Sequence, residues 1–115
     1  MKSYILVNAD EIQEKEAEEM LNLEEIQNLV GEPGKEAFFE SVYNCYSDRL
    51  IAILCDDDSL RKHHQPTCVT STGVVLHGQV LIVRIDPQID DYNLLTPQQV
   101  EIVKRETKLY RSILH

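Results

Sequence analysis

Apolar residues fall in short runs separated by polar, Gly- and Pro-bearing segments, and the period of each run sets the element it predicts. "SYILV" (Ser3 to Val7) is β-branched and aromatic, and the "NAD" after it is turn material, so it reads as a first strand. Residues 11 to 21, "EIQEKEAEEML", stay open between helix and strand. Glu and Ala favour helix, yet Ile12 and the Met20–Leu21 pair make a poor helical stripe. An edge strand over Glu16 to Leu21, its charges discouraging further pairing, fits as well. "NLEEIQNLVG" is clearer: Asn22 caps, Glu25 follows three residues on, and Leu23, Ile26, Leu29 and Val30 share one face. Gly31 stands where a C′ stop belongs, so a short helix over residues 22–30 is expected. "EPGK" (Glu32 to Lys35) is a turn.

"AFFESVY" (Ala37 to Tyr43) and "RLIAILC" (Arg49 to Cys55) predict two more strands, the second apolar enough to be central and buried on both faces. "GVVLHGQVLIVRI" (Gly73 to Ile85) predicts a last strand or strand pair, with Gly78 marking a bulge, a bend or a close backbone approach. "NLLTPQQVEIVKRE" writes a helix start in full. Thr96 caps, Pro97 takes the first helical position, Gln99 closes a capping box, and Leu95 and Val100 form a hydrophobic staple. Val103, Tyr110 and Leu114 continue the stripe, and Lys104, Arg105, Lys108 and Arg111 place positive charge toward the C-terminal end. The expected helix covers residues 96–114.

These elements predict an α+β fold: a mixed or antiparallel sheet of four or five strands, packed on one side by both helices. A length of 115 residues fits one domain, residues 1–115. The apolar share of 43% and charged share of 27% are those of a folded globular chain. No apolar run approaches the about 20 residues that span a bilayer, and "MKSYILVNADE" lacks the long apolar stretch of a secretory signal. Cys45, Cys55 and Cys68 are an odd count without a C-x-x-C pair, which suits a reduced cytoplasm.

Charge changes this picture most. The net charge is -9, and residues 9 to 40 hold eleven Asp or Glu against two Lys. The rest of the chain balances, so the excess is local. A local acidic face repels nucleic-acid backbone and attracts basic partners, which excludes direct nucleic-acid binding as a leading function. Glu14, Glu16, Glu18, Glu19, Glu24, Glu25, Glu32 and Glu36 are the candidate partner-binding residues. The same carboxylates, presented where an enzyme expects phosphates, would make a DNA mimic, and a homodimer would double that face.

"CDDDSLRKHHQPTC" (residues 55 to 68) is the stretch that most invites chemistry. His63, His64 and Cys68 supply three conceivable zinc ligands, but zinc sites use two ligand pairs at fixed spacing and only one pair is here. The calcium pattern of alternating oxygens, a central Gly and a distal Glu is missing. Cys68 is the one thiol expected to be exposed, with His63, His64 or His77 as a conceivable base. That arrangement would suit a small hydrolase or a metal-binding protein. Cys45 and Cys55 read as core. The stretch reads first as a connection, with Asp56 to Ser59 forming a turn. No catalytic residue and no cofactor is expected.

The ordered signals resemble a small uncharacterised domain family of bacterial phages, plasmids and integrative elements. "LEEIQNLVG" is similar to its helix ending in Val-Gly. "LIAILCDDDSLRKHHQPTCVT" is similar to its strand, acidic turn and threonine-bearing loop, though "DDDS" stands where Gly usually closes the turn. "VVLHGQVLIVRID" with "LLTPQQVEIV" is similar to its Gly-containing strand and capped last helix. The resemblance implies a mobile-element setting and no established activity. The function expected is that of a non-enzymatic accessory protein acting in the cytoplasm through contact with a protein partner, away from membranes.

Overall fold

The fold is seen in a computed structural model, which describes residues 2–31, 38–57, 65–88 and 91–113. The elements follow in chain order. They begin with β1 (Ser3–Val7), β2 (Ile12–Glu16), α1 (Leu23–Leu29), β3 (Phe39–Val42) and β4 (Ile51–Asp56). Next come β5 (Pro66–Thr70), β6 (Val75–His77), β7 (Val80–Asp86) and β8 (Asp91–Asn93). The chain closes with α2 (Pro97–Glu106), β9 (Thr107–Leu109) and α3 (Tyr110–Ile113). Among the described residues, six strands form one antiparallel sheet in the order β2-β1-β7-β4-β3, with β8 beside β7. A second antiparallel sheet has the order β6-β5-β9.

The architecture is α+β, with more strands than the four or five expected and with the helices on opposite faces of the large sheet rather than on one. The reason lies in the central pair. Every residue of β4 is buried, and β7 is buried from Val80 to Val83. Strand side chains alternate between faces, so this pair presents apolar surface in both directions. On the first face Ile5, Val7, Ile51, Ile53, Val80 and Ile82 pack with Val100 and Val103 of α2 and with Cys68 and Leu76 of the second sheet. On the second face Leu6, Leu54, Leu81 and Val83 pack with Ile26 and with Val30 just beyond α1.

Both helix starts form as their sequences predict. Asn22 Oδ1 accepts from the Glu25 N–H at 2.8 Å, and Glu25 Oε1 accepts from the Asn22 N–H at 3.0 Å. Thr96 and Gln99 repeat the exchange at α2. The C-terminal helix, however, stops at Glu106 instead of running to residue 114. Thr107, Lys108 and Leu109 leave it to pair with Thr70, Val69 and Cys68 of β5. The Thr107 hydroxyl meets the buried Tyr46 hydroxyl at 2.7 Å. Residues 11 to 21 resolve as strand, but over Ile12–Glu16, earlier than expected. Gly78, at φ 73, is where the chain passes from the second sheet into the large one, so "GVVLHGQVLIVRI" is two strands in two sheets. No helix among the described residues is long and apolar enough to cross a membrane.

Gly31 fastens α1 to the large sheet. Its N–H donates to Gln79 O at 2.9 Å, and its carbonyl accepts from the Gln79 N–H at 3.1 Å. The Gln79 side-chain amide donates to Leu29 O, one of the carbonyls that a helix end leaves without an internal partner. Gly31 has φ +85, and a Cβ there would stand 2.7 Å from Asp56 Oδ2. Gly73 has φ +88 with nothing within 4 Å of such a Cβ. Gly73→Ala therefore meets only the left-handed backbone cost of about 1–2 kcal/mol. Gly31→Ala meets that cost plus a clash with a buried carboxylate, and should lose more than about 2 kcal/mol in urea unfolding at an unchanged slope. Equal losses at the two sites would remove the Asp56 contact from this account.

Candidate functional site

The structure sorts the acidic stretch into carboxylates that are engaged and carboxylates that are not. Glu14, on β2, accepts from Lys104 Nζ at 2.6 Å and from Ser3 Oγ at 3.2 Å. The Lys104 ammonium holds its carboxyl below the ordinary carboxylate range. Asp10, in the turn before β2, is bridged by Arg111 at 3.3 Å. Glu25 is spent on the α1 cap. Glu16, Glu18, Glu19 and Glu24 are exposed, and among the described residues no ion pair engages them. Glu32 and Glu36 lie outside the described residues.

Three of the unengaged carboxylates, Glu16, Glu18 and Glu19, border a groove on the second face of the large sheet. The segment from the end of β2 to α1 runs beside Tyr4 and leaves a depression of about 550 Å³, lined also by Glu16, Glu18, Glu19, Met20, Leu21 and Glu25. A second depression of about 370 Å³ shares Met20 and Leu21 with it. This second one lies against Leu23, Ile26, Phe39, Asp91 and Tyr92. The smaller depression is mainly apolar and aromatic and the larger mainly polar; five carboxylates line the two, and among the described residues neither lining includes Lys or Arg. Leu23 departs from the expectation that it faces the core: it is 62% exposed, whereas Ile26, one turn on, is 4% exposed. The Tyr92 hydroxyl is hydrogen-bonded to the Ser41 hydroxyl, and burial raises its pKa, so it stays protonated. Tyr4, Phe39, Asp91 and Tyr92 escaped sequence reasoning as site residues. Phe39 lay inside an expected strand. Tyr92 belongs to a three-residue strand, too short to show a period of two.

The stretch "CDDDSLRKHHQPTC" is mostly structural where it is described. Asp56 is the last residue of β4 and is 2% exposed, not part of an open turn. Cys68 is a correction: the thiol expected to be exposed is fully buried in β5, between β6 and β9. Burial pushes the Cys55 and Cys68 thiols up to about 12 and raises Cys45 as well. A thiol so raised is almost wholly un-ionised at neutral pH and makes a poor nucleophile or ligand. His63 and His64 lie outside the described residues, and among the described residues no three His, Cys, Asp or Glu side chains group to hold a metal ion.

The opposite face has a polar knot of its own. Glu106, at the end of α2, accepts from the Ser47 N–H at 2.8 Å, the Ser47 hydroxyl at 2.5 Å and the Ser71 hydroxyl at 3.1 Å. These donors, the Ser47 hydroxyl first, hold its carboxyl below the ordinary range. This knot joins three connections and touches none of the groove residues.

Two outcomes follow. The three thiols should resist a disulfide reagent in the native protein at about pH 8 and react together on unfolding, since native thiolate is scarce. A fast-reacting native thiol would restore the nucleophile reading. Glu14 and Glu106, with folded pKa values below the unfolded value, add stability that is complete above the ordinary carboxylate pKa of about 4.3 and fades as pH falls through the folded values. The stability gap between the parent and Glu106→Gln should therefore narrow from about pH 6 to pH 3 in urea unfolding. A gap independent of pH would show that the serine hydrogen bonds do not depend on the charge.

A search of curated proteins and a search of solved structures each returned no significant match. A family described as a domain of unknown function, DUF3846, matches residues 1–109. That span takes in every strand and both capped helices, and with it the whole groove, so the chain belongs to the DUF3846 family.

Proposed function

We propose that this domain is a non-enzymatic interaction module whose acidic N-terminal surface binds a basic protein, and that it serves as an accessory protein of a mobile genetic element in the cytoplasm. One observation carries the reading. Acids that touch the C-terminal elements are matched by Lys104 and Arg111, while Glu16, Glu18, Glu19 and Glu24 are exposed and unmatched among the described residues. A cluster of one sign steers an oppositely charged partner and fixes its orientation more than it sets affinity. The mobile-element setting rests on the family resemblance.

The DNA-mimic form of this reading is weakened. Duplex DNA carries a charge per about 1.7 Å of axis. With Glu14 held by Lys104 and Glu25 by the helix cap, the four free carboxylates among the described residues fall short of one turn of duplex. The hydrolase alternative loses its nucleophile to the burial of Cys68.

The test is retention of host proteins on the immobilised chain at low and moderate salt. The parent should hold a basic protein at about 50 mM salt and release it by about 300 mM, where the Debye length has fallen to roughly 6 Å. Glu16→Gln, Glu18→Gln, Glu19→Gln and Glu24→Gln together should abolish retention with the fold intact, because exposed charges add little stability. Deleting the gene should lower the spread of its element. Identical retention by parent and four-Gln variant, or none by the parent at low salt, sinks the proposal.

A further inference from the structure

We infer that the groove receives a basic amphipathic segment of the partner, with an apolar side chain seated between α1 and Tyr92 and Lys or Arg side chains against Glu16, Glu18 and Glu19. This rests on the proposed interaction role and names the chemistry of the partner.

Charge alone is a weak anchor, because exposed ion pairs gain little against water and salt. Most binding energy at protein contacts comes from a few apolar or aromatic anchors in a desolvated centre, ringed by polar groups. The groove has that plan. Met20, Leu21, Ile26, Phe39 and Tyr92 line the smaller, mainly apolar depression, and exposed glutamates line the larger one beside it. Leu23 is exposed at the first position of α1, beside the smaller depression. The asymmetry also fixes orientation. Among the described residues four glutamates line the larger depression, whereas Asp91 is the one carboxylate lining the smaller. An occupant complementary to both is apolar at one end and cationic toward the other. A helix with apolar residues at i, i+3 and i+4 and lysines beside them presents that surface, as helix-in-groove recognition does elsewhere. An acidic or uniformly charged segment does not.

The probes are three synthetic peptides of about 14 residues: an amphipathic Leu/Lys helix, the same peptide with Leu replaced by Ser, and the same with Lys replaced by Glu. Each is titrated into the 15N-labelled full chain at low salt, with amide shifts as the readout. The Leu/Lys peptide should shift residues 18 to 26, Phe39 and Tyr92. Its affinity should drop at least tenfold when its leucines become Ser, and at least fivefold in a Leu23→Ser chain. Leu23 is mostly solvent-exposed, so that variant should keep its dispersed spectrum. Equal binding of the Ser peptide, unchanged affinity of the Leu23→Ser chain, or shifts centred elsewhere would each overturn the groove inference while leaving the charge reading standing. Absence of binding by any lysine-bearing peptide, or equal binding of the Glu peptide, would overturn both.

Discussion

The fold hangs on the pairing of β4 with β7. Ile53 stands opposite Ile82, and Leu54 opposite Leu81, so successive cross-strand pairs are large, aliphatic and directed to opposite faces. Such a pair is stable only if both faces are covered, and each uncovered Leu or Ile would forgo roughly 1.5–3 kcal/mol of burial. The first face is covered broadly, by α2 and by a whole second sheet. Among the described residues the second is covered more sparingly. A seven-residue helix is about 10 Å long at 1.5 Å per residue, whereas five strands at about 4.8 Å spacing span roughly 20 Å. The shortfall is filled by Tyr4, Met20, Leu21, Phe39 and Tyr92, which end up half-buried. The groove is thus the remainder of a core covered unequally on its two sides.

Local chemistry made the helix starts legible, because a cap is decided within four residues. Asn22 with Glu25 and Thr96 with Gln99 form the reciprocal bonds that their spacing dictates. The strands β1 and β4 were legible for a related reason: a β-branched, apolar run of five or six residues between turn signals is too short for a buried helix and suits a strand. What escaped is decided at long range. Nothing near Thr107 stops a helix, and Val103 and Tyr110 suit the helical stripe. The chain turns because β5 has an edge to fill and Tyr46 a hydroxyl to satisfy. The Pro66–Thr70 segment looked like loop because its threonines are polar, and it becomes the central strand of the second sheet only once β6 and β9 pair with it. Cys68 looked exposed for the same reason.

Charge was legible as a quantity but not as an arrangement. Counting the residues outside 9 to 40 as neutral hides that two of their cations are committed elsewhere. Lys104 and Arg111 reach back across the chain to Glu14 and Asp10, tying the C-terminal elements to the β1–β2 hairpin. The acids nearest those cations lose their reach toward solvent. Those beyond β2 keep theirs, so pairing within the fold concentrates the outward negative potential on the second face. Both ion pairs are exposed, and each contributes at most about 1 kcal/mol. Their larger effect is on where the unmatched charge lies.

The remaining carboxylates differ in whether the fold itself can use them. Glu24 and Glu25 sit in the first turn of α1, where negative charge complements the helix dipole by roughly 0.3–1 kcal/mol, and Glu25 also closes the cap. Stability alone accounts for acids there. Glu18 and Glu19 lie in an irregular link that has no dipole to complement, and Glu16 ends an edge strand already guarded by charge at Glu14 and Lys15. Three like charges within four residues repel one another and return nothing to the fold. Glu16, Glu18 and Glu19, which border the groove, are thus the acids that the fold itself accounts for least. The interaction reading therefore rests on Glu16, Glu18 and Glu19 more than on the acidic stretch as a whole.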